Sequence, residues 1–140
     1  MLLKTLTYTS LASLDLSEGD LDDILAVARH ANAIEGVSGL LIFNGVRFLQ
    51  IIEGSEAAID GLVTRLRRDH RHSAFEVQDE RSVKEQTFPQ WSMELVQVST
   101  TSSIARDQLR DKLPPNLNAL VRELVMRTTQ ALGGSVSMPG

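Results

Sequence analysis

The order of strand and helix signals along the chain predicts an α+β fold arranged βαββαβ with an additional fifth strand. Three observations carry that expectation. Two amphipathic helical stretches alternate with strand-like runs, an Asn44-Gly45 pair joins two of those runs as a hairpin, and the central strands are apolar on both faces. The expected layering is ferredoxin-like, with two helices on one face of a largely antiparallel sheet and C-terminal helices on the other.

Leu2 to Thr9 mixes leucine with β-branched threonine and reads as the first strand, with Leu2, Leu6 and Tyr8 on one face. Ser17-Glu18-Gly19-Asp20 has capping-box spacing and announces a helix carried by Leu21, Ile24, Leu25 and Ala28, which Gly36 stops. Val37 to Phe43 and Val46 to Glu53 are the two hairpin strands, and Gly54-Ser55 opens a second helix with the apolar stripe Ile59, Leu62, Val63 and Leu66. Phe75 to Val83 is a fourth strand, Phe88-Pro89 an irregular connection, and Trp91 to Val98 a fifth strand with Trp91, Met93 and Leu95 on one face. Strands one and three are expected to be central, parallel neighbours.

The composition after Ser99 changes. Thr100-Thr101-Ser102-Ser103 reads as a linker, Ile104 to Leu113 as a short helix, Pro114-Pro115 as a break, and Leu117 to Leu132 as a longer helix ending at Gly133-Gly134. One functional domain is therefore expected over residues 1–98, with residues 99–140 as a helical extension too short to be a further catalytic domain. Leu49 and Ile51 on strand three, with Leu41 and Phe43 on strand two, offer the extension an apolar face to cover. A dimer partner, or a larger homo-oligomer, is expected to share that task.

Composition excludes several functions. With 42% hydrophobic and 23% charged residues and no apolar run near the ~20 that a membrane span requires, a soluble chain is expected. Met1-Leu2-Leu3-Lys4-Thr5 lacks the features of a signal peptide, so the expected location is cytoplasmic. No cysteine is present, which removes disulfides, thiolate nucleophiles and thiolate metal sites. A net charge of −4 argues against direct nucleic-acid binding. There is no Gly-x-Ser-x-Gly elbow, no glycine-rich phosphate loop, and no acidic partner at ligand spacing from His70 and His72, so neither a metal site nor an enzyme is expected. Glu53, Glu56 and Asp60 flank a helix start, where the macrodipole favours acids without any catalytic role.

Polar side chains aimed at the core are more informative. Gln50 shares a strand face with Val46, Phe48 and Ile52, Tyr8 shares one with Leu6, and Asn32 lies four positions after Ala28 on the first helix. An unpaired buried donor or acceptor costs roughly 1–3 kcal/mol, so these groups satisfy one another or meet a polar ligand. A self-satisfied cluster and a ligand pocket walled by Ile24, Leu40, Val63 and Leu66 both fit. Arg65, Arg67, Arg68, His70, Arg71 and His72 form a basic cluster at the end of the second helix. Cations there meet the macrodipole with no function needed, and beside an apolar pocket they also suit a phosphate tail.

These residues resemble the BLUF family, the small bacterial sensors of blue light using FAD. Tyr8-Thr9-Ser10 is similar to its Tyr-x-Ser element, Gly36-Val37-Ser38-Gly39-Leu40-Leu41 to its Gly-Ile-Thr-Gly-Leu-Leu stretch, and Phe48-Leu49-Gln50-Ile51-Ile52-Glu53-Gly54 to its third-strand signature. Asp69-His70-Arg71-His72 and Phe88-Pro89-Gln90-Trp91-Ser92-Met93 complete the resemblance, which runs from Leu2 to Val98. It implies noncovalent FAD between the two helices, bound by Tyr8, Ile24, Asn32, Leu40, Gln50, Arg65, Leu66, Arg71 and His72. It also implies a photoactive set of Tyr8, Gln50, Ser10, Trp91 and Met93, with either Trp91 or Met93 beside the ring. Tyr8 would donate an electron and proton under light, the hydrogen bonds around Gln50 would rearrange, and a reversible red-shifted state would signal to a separate partner protein. A flavin-dependent oxidoreductase and a flavin-free interaction module of the same fold are the competing readings.

Overall fold

The computed structural model describes residues 3–14, 16–43, 45–87, 94–97, 110–111 and 113–137; side chains of residues 18, 27, 28, 31–34, 94–97 and 129–137 fall outside that description. The elements are β1 (Leu3–Ala12), α1 (Glu18–Glu35), β2 (Ser38–Phe43), β3 (Arg47–Ser55), α2 (Glu56–Arg68), β4 (His72–Val83), β5 (Glu94–Gln97) and α3 (Ala119–Ser137). They form one five-stranded sheet in the order β4-β1-β3-β2-β5. The expected α+β, ferredoxin-like layout holds, and β5 extends it by pairing parallel to β2.

Strands β1 and β3 are adjacent as expected, but they run antiparallel. Connectivity requires it. Each helical crossover returns the chain in its starting direction, so β1 matches β2 and β3 matches β4, while the β2–β3 hairpin reverses it. The pairing sets Leu6 opposite Ile52, Tyr8 opposite Gln50 and Ser10 opposite Phe48 on one face.

Local chemistry starts and stops the helices. Asp20 N–H donates to Ser17 Oγ at 3.1 Å while Ser17 N–H donates to Asp20 Oδ2 at 3.0 Å, a reciprocal capping box at the start of α1. Gly36 at φ +72° takes the left-handed position just past its end. Ser55 Oγ caps α2 by accepting from Ala58 N–H at 3.2 Å, and Arg65, Arg67 and Arg68 occupy its last turn, where the dipole favours cations.

The sheet separates two cores. On one side Leu6, Tyr8, Leu41, Phe48 and Ile52 pack with Leu21 and Leu25 of α1 and Ile59 and Leu62 of α2. On the other, Leu40, Ile42, Leu49 and Ile51 pack with Leu113, Leu117, Val121 and Val125. Leu49 and Ile51 thus meet the C-terminal helix as expected, but the expected faces of β2 are exchanged. Leu41 and Phe43 lie on the α1–α2 side, and Leu40 lies beneath α3. Hairpin pairing sets Leu41 against Gln50 and Leu40 against Ile51, so odd residues of β2 share a face with even residues of β3. The helix expected to end at Gly133-Gly134 continues to Ser137, since glycine in a helix costs only about 1 kcal/mol and does not stop it unaided. Most of the short helix expected over Ile104 to Leu113 lies outside the described residues.

Candidate functional site

Tyr8 and Gln50 meet where β1 and β3 pair. Both are 3% exposed, and the Tyr8 phenol donates to Gln50 Oε1. Since a phenolic O–H faces an acceptor, the amide presents its oxygen to Tyr8. Around them, Ile24 of α1 and Leu66 of α2 face each other across Tyr8, Leu41, Phe48, Asp69 and His72. This inner hollow adjoins an open cleft lined by Ile24, Gln50, Leu62, Arg65, Leu66, Asp69 and Arg71. One buried amide at the floor, aliphatic walls and guanidinium groups at the rim describe a slot for a flat ligand with a polar edge and an anionic tail.

His72 is built into the protein. Its Nε2 lies 2.6 Å from the Leu66 carbonyl and its Nδ1 2.8 Å from Ser10 Oγ. A carbonyl only accepts, so Nε2 carries a proton and donates to Leu66, while Nδ1 shares a hydrogen bond with the buried Ser10 hydroxyl. With both nitrogens engaged within the protein, His72 braces the end of α2 against β1, and an anion there would compete with Ser10 or Leu66 for it. Arg71 is likewise engaged: Nε and Nη2 donate to Asp69 at 3.0 and 2.7 Å. That fork holds the Asp69 carboxyl below its usual range and raises Arg71 further. Arg71 stays at the cleft's rim, but an anion there would share it with Asp69. Arg65, also at the rim, is mostly exposed, 3.8 Å from Glu35.

Of the expected walls, Ile24 and Leu66 line the cleft, Val63 is partly buried against the helix-side core, and Leu40 is excluded by its position beneath α3. Leu41 takes its place. Asn32 lies in α1, but its side chain is outside the described residues, as are Trp91 and Met93 entirely. The three acids flanking α2 do not converge. Asp60 pairs with Lys4 at 2.9 Å, and buried Glu53 accepts from Thr87 N–H at 2.7 Å, fastening the segment after β4 to β3. Asp69 and Phe75 were not singled out from the residues as site groups. Asp69 stood in the quoted motif and two residues before Arg71, spacing that allows the fork; Phe75 gave no such signal.

Tyr8 is a strongly weakened acid, because burial disfavours the phenolate and the Asp69 carboxylate adds repulsion. The folded chain therefore keeps this proton at a pH where an unfolded tyrosine, with a pKa of about 10, loses it. Tyr8's contribution to stability is complete below that pH and declines above it, by up to about 1.4 kcal/mol per pH unit. Urea midpoints between pH 8 and 11 should fall more steeply in the native chain than in Tyr8→Phe. Because Tyr8 is the sole tyrosine, its ionisation is read without overlap, and it should coincide with unfolding.

Fold and site together define a small α+β module with a buried Tyr8–Gln50 hydrogen-bonded pair under a ligand slot. The chain belongs to the BLUF family, sensors of blue-light using FAD, whose family model matches residues 3–94. It is 33% identical over 92 residues to the photoactivated adenylate cyclase subunit beta of Euglena gracilis, a match covering 65% of this chain and 11% of that protein. The chain thus spans about a tenth of the curated relative's length. Among solved structures, BlrB, a BLUF protein in its dark state, is 31% identical with a TM-score of 0.70, covering 92% of this chain and 96% of that one. The BlsA ground state is 27% identical with a TM-score of 0.70, covering 92% and 87%. The cofactor is FAD, and the chemistry of the lining is compatible with it: Ile24, Leu62 and Leu66 are apolar surfaces of the kind a planar ring packs on, Gln50 is a buried amide able to meet a polar edge, and Arg65 is a cation at the rim that an anionic tail could reach.

Proposed function

We propose that Tyr8 and Gln50 are the photoactive pair of this blue-light photoreceptor and that the light signal passes to a separate partner protein. The observation that carries this reading is their buried hydrogen bond at the floor of the slot. When bound, FAD supplies the blue absorption and an excited state able to take up an electron. With FAD in the slot, Tyr8 would be the group placed to give up an electron and to move its phenolic proton along the bond to Gln50, and recovery of both would leave no net chemistry. Gln50, as a primary amide, accepts on one side and donates on the other, so the same two side chains support two hydrogen-bond arrangements. Ser10 and His72 hold β1 against α2 while this happens. Trp91 and Met93, and Asn32 as a ring contact, remain in the proposed set on the resemblance.

Residues 1–98 form the sensor in this reading, and residues 99–140 a helical extension that caps the sheet and relays the signal or mediates a homo-oligomer. The curated relative's name joins such a module to a cyclase; here the effector is proposed to be a separate protein, and the chain itself a non-enzyme in the cytoplasm. Among the described residues, no helix is long and apolar enough to cross a membrane.

Absorbance of the chain, purified after incubation with FAD and removal of the excess, tests the function. Blue light should move the flavin band reversibly to the red, and a band unaffected by light sinks the photoreceptor reading. Steady NADH consumption would favour the oxidoreductase, and absence of any flavin band the interaction module.

A further inference from the structure

We infer that Phe75 is a positioning residue for Tyr8, aimed at it by a strained bulge in β4. This rests on the reading of Tyr8 as the light-driven donor. In a regular strand, residues three apart point to opposite faces. His72 and Phe75 nevertheless both reach Tyr8, with ring centroids 6.3 and 4.3 Å from it, and they touch each other edge to face at 6.0 Å. The register explains this. Leu11 pairs with Ser73 and Thr9 with Glu76, so Ala74 and Phe75 together stand opposite Ser10. Ala74 absorbs the extra residue at φ +52°, a left-handed conformation that costs a residue with a Cβ roughly 1–2 kcal/mol. Strain of this kind persists where surrounding structure enforces it, and it clusters at functional sites.

The bulge places Phe75 nearly parallel to Tyr8, at an interplanar angle of 23°. Arg67 covers the assembly, its guanidinium carbon 4.5 Å from the Phe75 ring centre. Tyr8 thus has one edge tied to Gln50 through its hydroxyl and one face clamped by Phe75. The clamp fixes the ring plane, and hence the direction in which the phenol can donate when the Gln50 network rearranges. It also keeps water from offering the phenol a competing acceptor.

The test uses the full chain with FAD and ring-labelled tyrosine, whose signals come from Tyr8 alone. In the dark, Phe75→Leu should speed the Tyr8 ring flip roughly three- to tenfold, the loss expected for one aromatic pair. After a blue pulse, the red-shifted band of the same variant should decay several-fold faster than in the native chain. Phe75→Met, which fills the space with a flexible thioether, is the second variant should leucine fold poorly, and the same changes are expected. Ala74→Gly keeps the bulge while relieving its strain, and should leave both rates within about twofold of native. Native ring-flip or decay rates in a folded, flavin-loaded Phe75 variant overturn the inference. The ring flip is read without light, so failure of the donor reading, seen as a light-responsive Tyr8→Phe chain, is recognised separately.

Discussion

Tyr8→Phe should bind FAD and lose the reversible red shift entirely. Phenylalanine keeps the ring that packs against Phe75 and inside the helix-side core, so the slot and its aliphatic walls survive. What it removes is the hydroxyl that donates to Gln50, and no second tyrosine exists to replace it. The amide oxygen then lacks that donor in a buried site, costing about 1–3 kcal/mol of stability, a shift in unfolding midpoint but not a loss of fold. Gln50→Leu approaches the same bond from the other side, with an aliphatic group of comparable length among Leu41, Phe48 and Ile52. It too should retain flavin and lose the shift, since leucine neither donates nor accepts. Absorbance spectra before and after blue light settle both cases. A native photocycle in Gln50→Leu would remove the glutamine from the mechanism, even if Tyr8→Phe behaved as expected.

Gly39→Ala should be the most destabilising single methyl in the described sheet. Gly39 pairs with Ile52 where β2 crosses β3, and a Cβ at this position would run into the Ile51 carbonyl. That obstacle is backbone, already committed to the sheet, so it cannot swing aside as a side chain would. Relief requires moving β2 away from β3, which disturbs Leu40 and Leu41 on opposite faces together. An expected loss of roughly 3 kcal/mol, at the upper end for overpacking, should appear as a lower urea midpoint with little change in slope. FAD should protect the variant only partly. A midpoint within error of native would show that the sheet can open there at no cost.

The parts of this architecture that local chemistry dictates were legible in the chain. Ser17 and Ser55 cap the helices they were expected to cap, Gly36 ends α1, and strand phase turned Gln50 toward Phe48 and Ile52. What depended on pairing between elements was harder. The exchanged faces of β2 follow from hairpin parity, which sets Leu41 with Gln50, and the antiparallel β1–β3 pair follows from counting reversals of the chain. Both were available in the sequence once strands were joined. The roles of His72 and Phe75 were not, because they depend on a bulge at Ala74, and alanine carries no mark of a left-handed conformation as glycine would. The basic run looked like one cluster, but helix geometry and the turn after α2 disperse it. Arg67 goes to Phe75, Arg71 to Asp69 and His72 inward, while Arg65 remains at the rim.

Strand β3 carries Gln50 toward one core and Leu49 and Ile51 toward the other, so a single backbone is the whole thickness of the wall between the proposed photoactive pair and α3. Among the described residues, Gln50 and the α3 side chains packed on Leu49 and Ile51 are separated by this backbone alone. Under the proposed mechanism, any displacement of β3 that accompanies re-pairing of the amide would reach Val121 and Val125 directly, as pushing a panel from one side moves whatever leans on the other.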